Sequence, residues 1–145
     1  MKDHLKSYFP ERFPHSETGL FDKTQKLFNY ANERKMNVNC ESQVMSIFEE
    51  SDEVRLLAGA MNKYGCRFDL ARHVACEMCR TCNGGYDPDT NQIVICQNNA
   101  VSRNQILSVL MHEMIHMFDY CRVKFDFNNL DHIACSEVSF HHINI

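Results

Sequence analysis

No block of lysine and arginine occurs in the 145 residues, and the formal net charge is -4. A basic surface for nucleic acid is not advertised, so direct nucleic-acid binding is not expected. No apolar run approaches membrane-spanning length. Residues 1–14 mix charge, aromatics and two prolines, Pro10 and Pro14. They lack the apolar stretch of a secretory signal and the Arg-rich, acid-poor bias of a matrix-targeting presequence. What remains is a chain of one-domain length whose hydrophobic fraction, 44%, suffices for a core.

Cysteine is abundant instead. Cys40, Cys66, Cys76, Cys79, Cys82, Cys96, Cys121 and Cys135 make eight. Disulfides in an oxidising compartment are the first reading and a structural metal site is the second. Cys76-x-x-Cys79-x-x-Cys82 is dense, but zinc ribbons pair two distant knuckles and only one such cluster is present. Spacing alone cannot choose among the possible pairings.

Along the chain, residues 1–20 read as an irregular arm, since Pro10 and Pro14 oppose a helix. Residues 22–36 and a stretch after Cys40 read as two helices, the first with Leu27, Phe28 and Ala31 at helical spacing. A third helix begins near Ser51, a capping residue before an acidic turn, and ends at Gly65. Leu56, Leu57, Ala60 and Met61 are its expected buried face. Residues 83–91 are turn-rich, and Ile93-Val94-Ile95 is a β-branched run. Together they predict a hairpin with arms at Gly85-Tyr86 and at 92–96. Ser102 and Gln105 have capping-box spacing and open a long, largely apolar helix reaching about Cys121. Another helix is expected over 130–138, followed by a tail over 139–145.

That long helix carries His112-Glu113-x-x-His116. Histidines four apart lie one turn apart on one face, where both can direct a ring nitrogen at one metal ion. Glu113 can reach water beside the metal without competing as a ligand. A catalytic zinc takes three protein ligands and keeps a position open. Glu137, from the next helix, is the preferred third ligand, as in the glutamate-ligand class of zinc peptidases. His132 and Asp119 are alternatives, and Asp119 could instead orient a ligand. The expected chemistry is peptide hydrolysis. Zinc acidifies water and polarises the scissile carbonyl, while Glu113 takes the proton and passes it to the leaving amine. Tyr120 or His132 is a candidate oxyanion donor, and the 92–96 strand a candidate acceptor of substrate as an added strand.

Four segments in order carry a family resemblance: Gly84-Gly85-Tyr86-Asp87, the run from Gln92 to Asn99, the run from His112 to Arg122, and His132-Ile-Ala-Cys-Ser-Glu-Val138. The chain resembles the mitochondrial inner-membrane metalloproteases that mature ATP synthase subunit 6, whose vertebrate members are also called Ku-antigen-binding proteins. The resemblance runs from about Cys66 to Val138. It implies zinc held by His112 and His116, and catalysis by Glu113. It also implies processing of the subunit 6 precursor, a chaperone-like role in ATP synthase assembly, and a place in the intermembrane space, peripheral to the inner membrane. Import by oxidative folding, as in cysteine-rich proteins of that space, would account for the cysteines. After Val138 the family pattern of Arg-Ala and Leu-Ser-Gly-x-Cys is replaced by Ser139-Phe-His-His-Ile-Asn-Ile145, which reads as a truncated or alternatively spliced end.

The expected fold is α+β: an arm over 1–20, a small zincin-like metallopeptidase domain over 21–138 with a short sheet packed on the HExxH helix, and a divergent tail over 139–145. The expected function is that of a zinc metalloendopeptidase. The alternatives are a non-proteolytic assembly chaperone and a DNA-repair-associated Ku-binding protein.

Overall fold

Between Lys23 and Glu50 there is no proline or glycine, and a single helix, α1 (Lys23–Glu50), runs through this stretch in the computed structural model. The structure describes residues 23–123 and 126–143, so the arm expected over 1–20 lies outside the described residues. Two separate helices were expected here. Asn37, Val38 and Asn39 are poor helix formers, but none of them breaks a helix whose second half is held by packing. Cys40, Val44 and Ile47 are its buried positions, whereas Leu27 and Phe28 are exposed.

Helix α2 (Asp52–Lys63) starts where the Ser51 hydroxyl accepts the Val54 backbone N–H, with Asp52 and Glu53 in its first turn. Acidic residues there oppose the positive end of the helix dipole. The helix stops before Gly65, whose φ of +79° is the left-handed conformation that glycine adopts without a Cβ penalty. Its inward stripe is Val54, Leu57, Ala58 and Met61, at i, i+3, i+4 and i+7. Leu56, expected inside, falls off that stripe and is 77% exposed.

A short helix α3 (Leu70–His73), capped by the Asp69 carboxylate, leads into β1 (Val74–Glu77). Then come β2 (Gly84–Asp87) and β3 (Gln92–Cys96), the two arms of the expected hairpin. The turn between them is held by Asp87, whose carboxylate accepts the Asp89 and Thr90 N–H groups and the Thr90 hydroxyl. Sheet order is β1-β3-β2. β1 pairs parallel to β3, Val74 opposite Ile93, and β2 pairs antiparallel, Tyr86 opposite Ile93. This order corrects one expectation: β3 is central, its backbone groups engaged on both sides, and cannot accept a further strand. The edge strands are β1 and β2.

Helix α4 (Arg103–Arg122) opens on the full capping box, Ser102 bonded to the Gln105 N–H and Gln105 to the Ser102 N–H. It lies against β2 and β3. Strand alternation sends Ile93 and Ile95 into the main core with Ile47, Met61, Ile106, Leu110 and Met114. Val94 and Cys96 face the other side with Cys79. Helix α5 (Leu130–Ile143) continues past Val138, where a tail was expected, and packs on α4. Among the described residues no helix is long and apolar enough to cross a membrane.

Three disulfides fasten these elements: Cys40–Cys76 joins α1 to β1, Cys66–Cys121 joins the end of α2 to the end of α4, and Cys79–Cys96 anchors the segment after β1 to β3. Cys82 and Cys135 stand outside these bridges. The 55-residue separation of Cys66 and Cys121 makes that link worth about 4 kcal/mol by restriction of the unfolded chain.

Strand β2 lies close against α4 at Gly84. A Cβ there would overlap Val109 Cγ1 on α4 and sit 2.6 Å from the Val94 carbonyl oxygen. The backbone on one side cannot give way. Gly84→Ala should therefore destabilise the chain by about 1–3 kcal/mol, seen as a lower midpoint in chemical denaturation. An unchanged midpoint would show that β2 does not lie this close to α4.

Candidate active site

The apolar stripe of α4 turns Ile106, Leu110 and Met114 into the core and leaves His112 and His116 on a neighbouring face, one turn apart. Their side chains are 26% and 12% exposed. Their Nε2 atoms lie 2.9 Å apart. Helix α5 crosses this face and brings the Glu137 carboxylate to it, Oε1 lying 3.4 Å from His112 Nε2 and 3.2 Å from His116 Nε2. The three ligand atoms form a nearly equilateral triangle, all within 4.8 Å of one another. A tetrahedral zinc with bonds near 2.05 Å has ligand-to-ligand edges of about 3.3 Å. The triangle thus has the size and the donor set, two imidazoles and a carboxylate, that suit such an ion.

The far side of the His116 ring is also engaged. Its Nδ1 lies 2.9 Å from the hydroxyl of Ser136, which is 1% exposed. Burial and the neighbouring His112 hold His116 below the usual histidine range, with Glu137 and Asp119 opposing. A neutral imidazole is the form that ligates a metal.

Glu113, next to His112 on α4, is buried, 9% exposed. Burial first, and the Glu137 charge second, push its carboxyl up to about 8, while a hydrogen bond from the Tyr86 backbone N–H favours the ionised form. That bond comes from β2, the strand that Gly84 allows to lie against α4. An aromatic group adjoins the site at His116: Tyr86 and Tyr120 edge to face at 5.9 Å, Tyr120 stacked on Phe127 at 5.6 Å, and Phe127 edge-on to His116 at 6.5 Å.

The structure separates the three candidates for the third position. Glu137 is with the histidines. Asp119 is buried on α4 and accepts both Arg122 Nε and Nη2, at 2.9 and 2.6 Å. His132 Nδ1 accepts the Asp126 backbone N–H at 3.0 Å, helping to shape the loop before α5. Tyr120 contributes its ring to the aromatic group. Ser136 and the Tyr86 N–H escaped the sequence reading. The only signal for Ser136 was its place beside Glu137, and a backbone donor leaves none.

A second cluster gathers Cys79, Cys82 and Cys96. Two of these sulfurs are joined in a disulfide, and Cys82 Sγ lies 3.6 Å from Cys96 Sγ. Burial pushes the Cys82 thiol up, so it is held as the protonated form.

Residues 38–144 match the peptidase M76 family. The chain is 42% identical over 104 residues to a human mitochondrial inner membrane protease ATP23 homolog, covering 70% of this chain and 42% of that protein. It is 36% identical over 132 residues to the Xenopus laevis homolog, covering 90% and 54%, and 35% identical over 111 residues to the Schizosaccharomyces pombe protease atp23, covering 76% and 57%. The chain thus spans about half the length of the curated relatives it matches. No solved structure matches it. The family match covers the sheet, both site helices and every residue of the His112, Glu113, His116 and Glu137 cluster, and the chain belongs to the peptidase M76 family.

Proposed function

We propose that this chain is the catalytic domain of a zinc endopeptidase with zincin-like packing, in which His112, His116 and Glu137 hold the metal and Glu113 is the general base. The observation that carries this reading is the triangle of ligand atoms beside a buried carboxyl. Zinc, when bound, supplies Lewis-acid stabilisation of negative charge and acidifies water. Glu113 accepts a proton from water and delivers it to the leaving amine. Held up to about 8, it keeps a proton at neutral pH in the metal-free chain, and positive charge nearby favours the carboxylate needed of a base. The edge strand β2, which reaches Glu113 through Tyr86, is where an extended peptide would add to the sheet.

The resemblance of the four motifs supports a substrate and a place. The substrate is the precursor of ATP synthase subunit 6, cleaved in the intermembrane space by a protein peripheral to the inner membrane, with a role in assembling the same complex. The relatives are named mitochondrial inner membrane proteases, which supports a place at that membrane.

Metal analysis should find about one zinc per chain, lost on His112→Ala or His116→Ala. Two zincs, one of them insensitive to these changes, would move the metal chemistry toward the cysteine cluster. Glu113→Gln should retain zinc and lower the cleavage rate of a presequence peptide by about 10²–10⁴-fold; cleavage at the unsubstituted rate would rule out Glu113 as the base.

The metal-free chain should also show a pH signature. Folded Glu113 keeps its proton to about pH 8, whereas the carboxyl of the unfolded chain releases it near 4.5. Between these values folded Glu113 binds the proton that its unfolded counterpart has lost, so its contribution to stability falls as pH rises, while the lowered His116 contributes in the opposite sense below about 6.5. Glu113→Gln should flatten that part of the curve. Melting temperatures of chelator-treated protein across this range, substituted against unsubstituted, measure it; parallel curves would refute the shift.

A further inference from the structure

The hydroxyl of Ser136 and the carboxylate of Glu137 are consecutive on α5, and they meet the same imidazole from opposite sides. Glu137 Oε1 lies 3.2 Å from His116 Nε2, and Ser136 Oγ lies 2.9 Å from His116 Nδ1. Ser136 is 1% exposed, so this contact is shielded from water, and nothing in the chemistry proposed above uses it. We infer that Ser136 is a positioning residue: by accepting the His116 Nδ1–H it fixes the ring in the tautomer whose Nε2 lone pair faces His112 and Glu137, and it sets α5 so that Glu137 arrives there. The inference rests on the reading of the triangle as a metal site.

The physical grounds are those of any imidazole ligand. A neutral ring carries one proton, and the nitrogen that carries it cannot ligate. With no acceptor at Nδ1 the proton partitions between both nitrogens and the ring rotates more freely. A buried acceptor at Nδ1 removes both freedoms. Ser136 adds a second effect because it belongs to α5 and not to α4. One hydrogen bond across the helix pair couples the orientation of one ligand to the delivery of another. Burial raises the cost of its loss, since an Nδ1–H facing alanine has no partner and no water in reach. Asp119 is engaged by Arg122 and acts on His116 through its charge.

Zinc affinity measured by competition with a chromophoric chelator tests this on the disulfide-intact chain. Ser136→Ala should bind zinc about 10- to 100-fold more weakly, and Ser136→Thr, which keeps the hydroxyl, should stay close to the unsubstituted chain. Nitrogen-15 NMR of the imidazoles in the zinc-loaded, unsubstituted chain provides a readout independent of any variant's folding. It should show a His116 Nδ1–H that exchanges slowly with water, and in zinc-loaded, folded Ser136→Ala a fast-exchanging one. Fast exchange of that proton in the unsubstituted chain overturns the inference. So does Ser136→Ala that binds zinc as tightly as the unsubstituted chain. If the unsubstituted chain itself binds no zinc, the reading of the triangle falls and this inference with it; if that chain binds zinc and only Ser136 proves indifferent, the triangle stands and the positioning role alone is lost.

Discussion

The close approach of β2 to α4 is the constraint on which the site depends. At Gly84 the strand lies so near the helix that a Cβ would overlap Val109 on one side and crowd the Val94 carbonyl on the other. Two residues further along, the same strand presents the Tyr86 N–H to Glu113. Were the strand held off by a side chain, Glu113 would lose both its backbone donor and the burial that raises its carboxyl. Sheet packing thus sets the state of the proposed base, while the helix period sets the histidines beside it. Fold and chemistry share the stretch from Val109 to His116.

The disulfides hold the frame around that contact. Cys66–Cys121 ties the end of α4 to the end of α2, and Cys40–Cys76 ties α1 to the edge strand β1. Cys79–Cys96 fastens the central strand on the face away from the main core. None of these bridges lies in the ligand triangle. The sulfur chemistry restrains the scaffold, and imidazole and carboxylate groups make up the site. Helix α5 joins it by a different means: its register against α4 is read out at His116, through Ser136 on one ring nitrogen and Glu137 on the other.

How much of this is legible in the sequence follows from the range of each interaction. Local signals are legible. The Ser51 and Ser102 caps, the Gly65 stop and the arms flanking Asp87 depend on residues within a few positions, and the structure places them as read. The spacing of His112 and His116 is equally local, because one helix supplies both. Non-local features are less so. Glu137 is the preferred third ligand in the sequence, but His132 and Asp119 are donors too, and only the packing of α5 on α4 brings Glu137 to the histidines. The cysteine pairs are separated by up to 55 residues and no periodicity reports them. The central place of β3 depends on β1, a strand hidden within a cysteine-dense segment, so the expectation that β3 accepts an added strand does not hold. Leu56 lies outside because apolar residues occur on both faces of α2, and only packing shows which face is covered.

The central claim is that nitrogen and oxygen ligands on two crossing helices, and not the cysteine cluster, make the metal centre. X-ray absorption fine structure at the zinc edge on the zinc-loaded chain tests this most directly. The account predicts a first shell of light atoms at about 2.0–2.1 Å with the outer-shell pattern of two imidazoles. A shell dominated by sulfur at about 2.3 Å would contradict it.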